Sequence, residues 1–195
     1  MSKRIALLSA VAFSALAFTV TVIAPASAED KMMKNDKMSG EKTVMVGGAA
    51  MFPSRNIIQN AVNSRDHTTL VAAVKAAGLV ETLEGKGPFT VFAPTNAAFG
   101  KLPAGTVDTL VKPENKATLT RILTYHVVAG KLAASDLADG QKLKTVEGEE
   151  LTVRKAGGKV MIVDARGGSS TVAISNVNQS NGVIHVVDTV LMPAS

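Results

Sequence analysis

Hydrophobic residues in the first half of the chain recur every three or four positions, and this period predicts helices. One helix is expected over residues 56–62. The next is expected to follow Asp66 as its cap, to carry an apolar stripe over residues 70–77, and to end at Gly78. Shorter helices are predicted near residues 80–85, 95–99 and 106–111 and from Pro113 onward, with Thr95 and Thr106 as caps.

The pattern changes to alternation in the second half of the chain, which predicts strands. Apolar residues alternate with polar ones over residues 151–153, 160–162 and 172–174, and glycine pairs separate these runs. Asn181-Gly182 predicts a further turn that leads into a strand over residues 183–187, and an earlier strand is expected over residues 89–92. Short strands with tight turns favour an antiparallel sheet or sandwich, so the folded part is predicted to be one α+β domain.

The N-terminal segment has the pattern of a secretory signal peptide. Lys3 and Arg4 precede an apolar stretch over residues 5–23, and small residues surround Ala28 in an A-x-A arrangement. We expect cleavage after Ala28, which makes residues 1–28 the signal peptide and predicts export to the periplasm or the extracellular space. The alternative is an uncleaved membrane anchor, because the apolar stretch is nearly long enough to span a bilayer.

A polar segment separates this signal from the folded domain. Residues 29–48 are rich in Lys, Asp, Met and Gly and show little periodicity, so a flexible linker is expected, followed by a single domain over residues 49–195. Met32, Met33 and Met38 lie close together here, and thioethers suit Cu(I). Copper binding by this segment is the alternative, although no His or Cys lies nearby.

Composition restricts the possible functions. An apolar fraction of 46% and a charged fraction of 19% allow the 195-residue chain to bury a core. The absence of cysteine excludes disulfides, a cysteine nucleophile, iron–sulfur clusters and a lipoprotein anchor. The net charge of +5 falls to +3 without residues 1–28, because Lys3 and Arg4 are removed, and the rest is evenly mixed with no basic run, so a nucleic-acid partner is not expected.

Catalytic and metal-binding motifs are absent from the sequence, so we expect no enzymatic activity and no cofactor. It contains no nucleophile elbow, phosphate-binding loop or zinc-protease motif. A zinc site could be assembled from the three histidines, His67, His126 and His185, but nothing in their spacing supports it. A triad of Ser180, His185 and Asp188 is disfavoured, because residues three apart on a strand face opposite sides.

Three segments resemble the fasciclin (FAS1) domain family, of the single-domain secreted bacterial type. Residues 89–99 read FTVFAPTNAAF and resemble the first signature of that family. Tyr125-His126 resembles its central Tyr-His pair, and residues 181–191, which read NGVIHVVDTVL, resemble its second signature. The order and spacing of the three segments also fit, and the resemblance covers about residues 56–193.

The resemblance implies a fold and a function. The implied fold is a wedge-shaped β-sandwich with several helices packed along one side. The implied function is cell adhesion or attachment to matrix, and the positions carried over from the family are Tyr125, His126, Ile184 and Asp188. Two of these positions have a structural alternative: His126 as a buried hydrogen-bonding strut, and Asp188 as an acceptor for backbone amides in a turn. His185 is expected to face solvent or a polar seam, opposite its apolar neighbours in sequence.

Two functional classes therefore remain. The first is an exported, non-enzymatic interaction module that binds a cell-surface or matrix protein or glycan. The second is a binder of a small apolar ligand, such as a lipid or pigment, in a cleft of the same fold. An apolar pocket lined by Leu, Val and Met would favour the second class, and a filled core would oppose it.

Overall fold

Six α-helices and nine strands form the part of the chain, residues 41–194, that the computed structural model describes. The helices are α1 (Ile57–Ala61), α2 (Thr68–Ala77), α3 (Val80–Glu84), α4 (Asn96–Gly100), α5 (Thr106–Leu110) and α6 (Lys116–Tyr125). Two 3₁₀ turns, Arg65–His67 and Pro113–Asn115, precede α2 and α6. The strands are β1 (Val44–Val46), β2 (Ala49–Met51), β3 (Phe89–Pro94), β4 (Val127–Ala129), β5 (Lys142–Lys144), β6 (Glu150–Ala156), β7 (Lys159–Val163), β8 (Ser169–Gln179) and β9 (Gly182–Val187).

Seven of the strands form one sheet in the order β4-β3-β9-β8-β7-β6-β5. All neighbouring pairs are antiparallel except β3 and β9, which run parallel with Val91 opposite Ile184. The α+β class is thus confirmed, but the sheet is mixed, whereas the glycine turns had predicted only antiparallel pairing. An antiparallel bridge between Val128 and Thr145 links the two ends, so the sheet is nearly closed into a barrel.

The N-terminal hairpin of β1 and β2 lies outside this sheet. Its first strand begins at Val44, inside the segment that the composition assigned to the linker. The side chains of Val46 and Met51 are buried and join the hydrophobic core, so the hairpin packs as part of the domain. The predicted signal peptide and Met32, Met33 and Met38 lie outside the described residues.

The core consists of two apolar clusters on opposite faces of β3 and β9. The first packs the helices against the sheet and includes Leu70, Leu123 and Ile184. The second fills the inside of the curved sheet and includes Phe92 and Tyr125. Because β3 and β9 are covered on both faces, their side chains are buried without alternation of polar and apolar positions.

The helix ends agree in part with the sequence pattern. Thr95 caps α4 by accepting a hydrogen bond from the Ala98 N–H, and Gly78 ends α2 in the left-handed conformation, as predicted. Asp66 does not cap α2, because it lies in the preceding 3₁₀ turn; the Thr69 N–H donates instead to the side chain of Asn96. Thr106 is likewise the first residue of α5 and not its cap.

Candidate functional site

Tyr125, the last residue of α6, is completely buried inside the curved sheet. Its hydroxyl donates to the carbonyl of Glu150 at 3.2 Å and accepts from the N–H of Ala165 at 2.9 Å. Burial raises the pKa of Tyr125 to about 12, so the hydroxyl keeps its proton at neutral pH. The side chain therefore ties α6 to β6 and to the loop between β7 and β8.

His126 follows Tyr125 and is also buried. Its Nδ1 lies 2.8 Å from the carbonyl of Ile122, and its Nε2 accepts a hydrogen bond from the Leu191 N–H at 3.0 Å. These partners define a neutral ring with the proton on Nδ1. The side chain therefore links α6 to the C-terminal segment. This is the buried hydrogen-bonding strut that was the structural alternative for His126 in the sequence.

The C-terminal segment after β9 is held by a series of such bonds. Next to the Leu191 contact, the Met192 N–H donates to the carboxylate of Asp164 at 3.0 Å. The other oxygen of Asp164 accepts from the N–H groups of Arg166 and Gly168 in the β7–β8 loop. The Tyr-His pair thus belongs to a network that joins α6, this loop and the last residues of the domain.

Ile184 and Asp188 lie at different depths. The side chain of Ile184 is buried in the cluster that contains the helices. Asp188 lies at the surface, with its side chain 46% exposed and 3.9 Å from the ammonium group of Lys101. One oxygen of Asp188 accepts hydrogen bonds from the Thr171 N–H and the Thr189 hydroxyl. Of the four positions carried over from the family, three face the interior and Asp188 alone reaches solvent.

His185 is buried, which corrects the expectation that it faces solvent or a polar seam. It points away from Ile184 as predicted, but that face of β9 is covered by the second cluster, where its ring stacks on Phe92 at 5.7 Å. Nε2 lies 2.8 Å from the carbonyl of Leu132. Neither Ser180 nor Asp188 bonds to it within residues 41–194, so no triad forms there.

The histidines do not form a metal site in the described part of the chain, where no three His, Cys, Asp or Glu side chains are grouped to hold an ion. His67, His126 and His185 are each buried, and burial lowers the pKa of all three, that of His126 to about 4. The three rings are therefore neutral parts of the fold at pH 7.

These neutral histidines predict a stability that falls on mild acidification. An unfolded histidine takes up a proton near pH 6.5, whereas folded His126 does so near pH 4, so the unfolded state binds more protons between these values. Stability is full above pH 6.5 and falls as the pH decreases toward 4. We expect His126 alone to lower the free energy of unfolding by about 2 kcal/mol between pH 7 and pH 5, measured by urea unfolding. An unchanged urea midpoint at pH 5 would contradict this.

Asn181 is a structural residue whose role the sequence did not reveal. Its side-chain oxygen accepts from the Ile57 N–H at 3.1 Å, and its amide donates to the carbonyls of Leu83 and Gly85. It therefore fixes the start of α1 and the end of α3 against the turn before β9. The pattern Asn-Gly indicated the turn correctly, but the partners are about 100 residues away in sequence, and no local signal identifies them.

An apolar cavity lies between the β1–β2 hairpin, the helices and the β3–β9 pair. The cavity volume is about 40 Å³. Its walls include Met51, Leu70, Leu83, Leu123 and Ile184. These walls are of the apolar kind that favours an apolar ligand, but the volume is small beside that of a lipid or pigment.

Membrane-spanning helices are not found in the described residues: within 41–194, none combines the length and the hydropathy that crossing a bilayer requires. The fold and the buried Tyr-His network together define a FAS1-type domain, a mixed and nearly closed sheet with helices packed on one side. The chain belongs to the Fasciclin domain family, whose profile matches residues 65–193.

Individual relatives support this assignment. The chain is 50% identical over 153 residues to protein sll1483 of Synechocystis, which covers 78% of this chain and 82% of that protein. It is 40% identical over 153 residues to the cell surface glycolipoprotein MPB83 of Mycobacterium bovis, covering 76% of this chain and 64% of the relative. A solved FAS1 domain pair from the insect cell adhesion molecule Fasciclin I shares the fold, with a TM-score of 0.65 at 17% identity. That match covers 78% of this chain and 58% of the insect chain.

Proposed function

We propose that the protein is an exported, non-enzymatic interaction module that attaches to a protein or glycan on other cells or on matrix. The observation that carries this proposal is membership of the Fasciclin domain family together with the fold shared with an insect cell adhesion molecule. The surface location of the mycobacterial relative agrees with an exported protein. Because residues 65–193 form a single such domain, strong attachment requires several copies displayed together.

The contact surface is proposed to include Asp188. The other family positions, Tyr125, His126 and Ile184, are buried and are not exposed to a partner. Asp188 lies beside the exposed side chain of Lys101, whose Nζ also bonds the Thr189 hydroxyl at 3.2 Å. This cluster of Lys101, Asp188 and Thr189 offers a partner one acid, one base and one hydroxyl on a rigid support.

The charge of Asp188 persists at neutral and mildly acidic pH. Burial by itself would raise the pKa of this carboxyl group. The hydrogen bonds from the Thr171 N–H and the Thr189 hydroxyl and the charge of Lys101 outweigh burial and lower the pKa below its usual value. The carboxylate is therefore held in one orientation and in one protonation state, which suits a recognition contact.

The test is adhesion of beads coated with the exported protein to the cells that produce it. Asp188→Asn keeps an oxygen for the Thr171 N–H but removes the charge, so the fold is retained. We expect retention of beads to fall about fivefold, because an exposed charge contact contributes modestly and the beads multiply it.

The matched control is Asp108→Asn, which removes an exposed acid from α5 at another place on the surface. It is expected to leave bead retention unchanged. Equal retention for both variants and the wild type would contradict the placement of the contact at Asp188. Failure of wild-type beads to bind cells or matrix would contradict the adhesion function itself.

A further inference from the structure

Four basic side chains from three neighbouring strands lie on one line across the outer face of the sheet. They are Lys144 and Lys142 on β5, Arg154 on β6 and Lys159 on β7, and all four are exposed. The residues that alternate with them, such as Leu143 on β5, are buried in the second cluster. The four cations, which we call the cation line, therefore point away from the core.

The strand register sets the spacing of the cation line. Lys142 lies opposite Thr152, which is two residues before Arg154. Arg154 in turn lies opposite Met161, which is two residues after Lys159. Each step along the line thus moves two residues along a strand, and the last two steps also cross to the next strand. With about 3.4 Å per residue and about 4.8 Å between strands, successive Cα atoms are about 7–8 Å apart and the line is about 22 Å long.

The acids nearest to the cation line in sequence are engaged by other groups, with one exception. Residues 142–168 contain four acids. Glu147 and Glu149 form ion pairs with the arginine of α6. Asp164 accepts hydrogen bonds from backbone N–H groups of the β7–β8 loop and the C-terminal segment. The exception is Glu150, which forms an exposed ion pair with Lys142 at 3.1 Å.

The other three cations of the line have no counter-charge. Within residues 41–194, Lys144, Arg154 and Lys159 form no ion pair. Residues 151–163, which make up most of the β6–β7 hairpin, contain no acid. A surface with an excess of one sign of charge attracts ligands of the opposite sign, and salt weakens this attraction.

The shape of the charged surface indicates the kind of anion that fits it. A small anion reaches one or two of the cations at this spacing, whereas anionic groups that repeat along an extended chain reach all four. Single-stranded nucleic acids are usually held by aromatic side chains that stack on the bases, and strands β5 to β8 contain no aromatic residue. Thr152, half-buried opposite Lys142, supplies a hydroxyl that can bond a sugar.

We propose that the cation line binds a linear anionic polysaccharide, whose carboxylate or sulfate groups pair with the four cations in turn. The contact is separate from the cluster around Asp188. Thr171, which donates to Asp188, lies two strands beyond Arg154 in the register. The proposal therefore goes beyond attachment at Asp188 and does not depend on it.

The test measures binding of polygalacturonate to the full exported protein by isothermal titration calorimetry. The matched probe is fully methyl-esterified polygalacturonate, which has the same sugar backbone without the charge. We expect the acidic polymer to bind and the ester not to bind. The affinity for the acidic polymer is expected to fall at least about tenfold between about 50 mM and about 200 mM salt.

Charge-removing variants locate the contact. Arg154→Gln combined with Lys159→Gln is expected to weaken binding about tenfold, because two exposed charge contacts are lost. Lys75→Gln combined with Lys112→Gln removes the same charge from α2 and from the turn before α6, and we expect a change of less than about twofold. Lys155→Gln, next to Arg154 but on the opposite face of β6, is expected to have an equally small effect.

Several results would overturn the proposal. Absence of polygalacturonate binding would do so, and so would equal binding of the ester. Equal weakening by the two double variants would show that net charge alone is responsible. Tighter binding of single-stranded DNA or polyglutamate than of polygalacturonate would assign the line to another class of partner. If the Arg154 and Lys159 double variant does not fold, Lys144→Gln, expected to weaken binding about threefold, decides the question.

Discussion

Replacing His126 with alanine is expected to lower the free energy of unfolding by about 3–5 kcal/mol. The change removes a buried ring, leaves a space beside the cavity, and leaves the Leu191 N–H and the Ile122 carbonyl without their side-chain partner. The C-terminal segment loses its attachment to α6 at the same time. Urea unfolding followed by circular dichroism at pH 7 measures the effect.

The control for this variant is Thr118→Ala, an exposed position on the same helix. It is expected to change stability by less than about 0.5 kcal/mol. If His126→Ala unfolds at the same urea concentration as the wild type, the ring is not the strut described here. If Thr118→Ala alone lowered the stability, helix α6 itself would be the sensitive element and not the His126 ring.

Replacing Gly182 with alanine is expected to destabilise the domain by about 3 kcal/mol or more. Gly182 pairs with Phe89 in the parallel β3–β9 ladder. A Cβ at this position would overlap the carbonyl oxygen of Phe89, which is backbone and cannot move aside without opening the ladder. The expected observation is a large fall in the urea midpoint or loss of soluble protein.

Gly100 provides the matched control for this substitution. It also lies in regular structure with an ordinary backbone conformation, but a Cβ there would contact nothing within 4 Å. Gly100→Ala is expected to be neutral or slightly stabilising, because alanine favours the helix. A Gly182→Ala protein as stable as the Gly100→Ala protein would show that β3 and β9 are not as close as the structure places them.

Sequence reasoning predicted the local structure of this domain better than its long-range pairing. The stripe over residues 70–77 identified α2, and Thr95 was recognised as a cap, because both signals lie within a few residues. The parallel pairing of β3 with β9 was missed, since it joins segments about 90 residues apart and the turn signals report hairpins alone. The α+β class followed from local periodicity, whereas the FAS1 architecture came from the three family segments, which periodicity does not supply.

The candidate site shows the same limit. Alternation correctly placed His185 opposite Ile184, but it assumed that one face of β9 is solvated, and both faces are covered. The buried bonds of His126 and Asn181 depend on Leu191, Ile57 and Leu83, which become neighbours after folding. Asp164, by contrast, precedes Gly167-Gly168 in a pattern typical of Asp turns, so its bonds to the Arg166 and Gly168 N–H groups were within reach of sequence reasoning.

The central claim is that Tyr125 and His126 contribute to adhesion only by stabilising the fold. Attachment itself takes place at the surface that includes Asp188. The measurement that tests it is bead adhesion of His126→Ala at a low temperature at which circular dichroism shows this variant to be folded. The account predicts that these beads are retained as well as wild-type beads, whereas Asp188→Asn beads are not. Loss of adhesion by a fully folded His126→Ala protein, with Asp188→Asn unaffected, would contradict it.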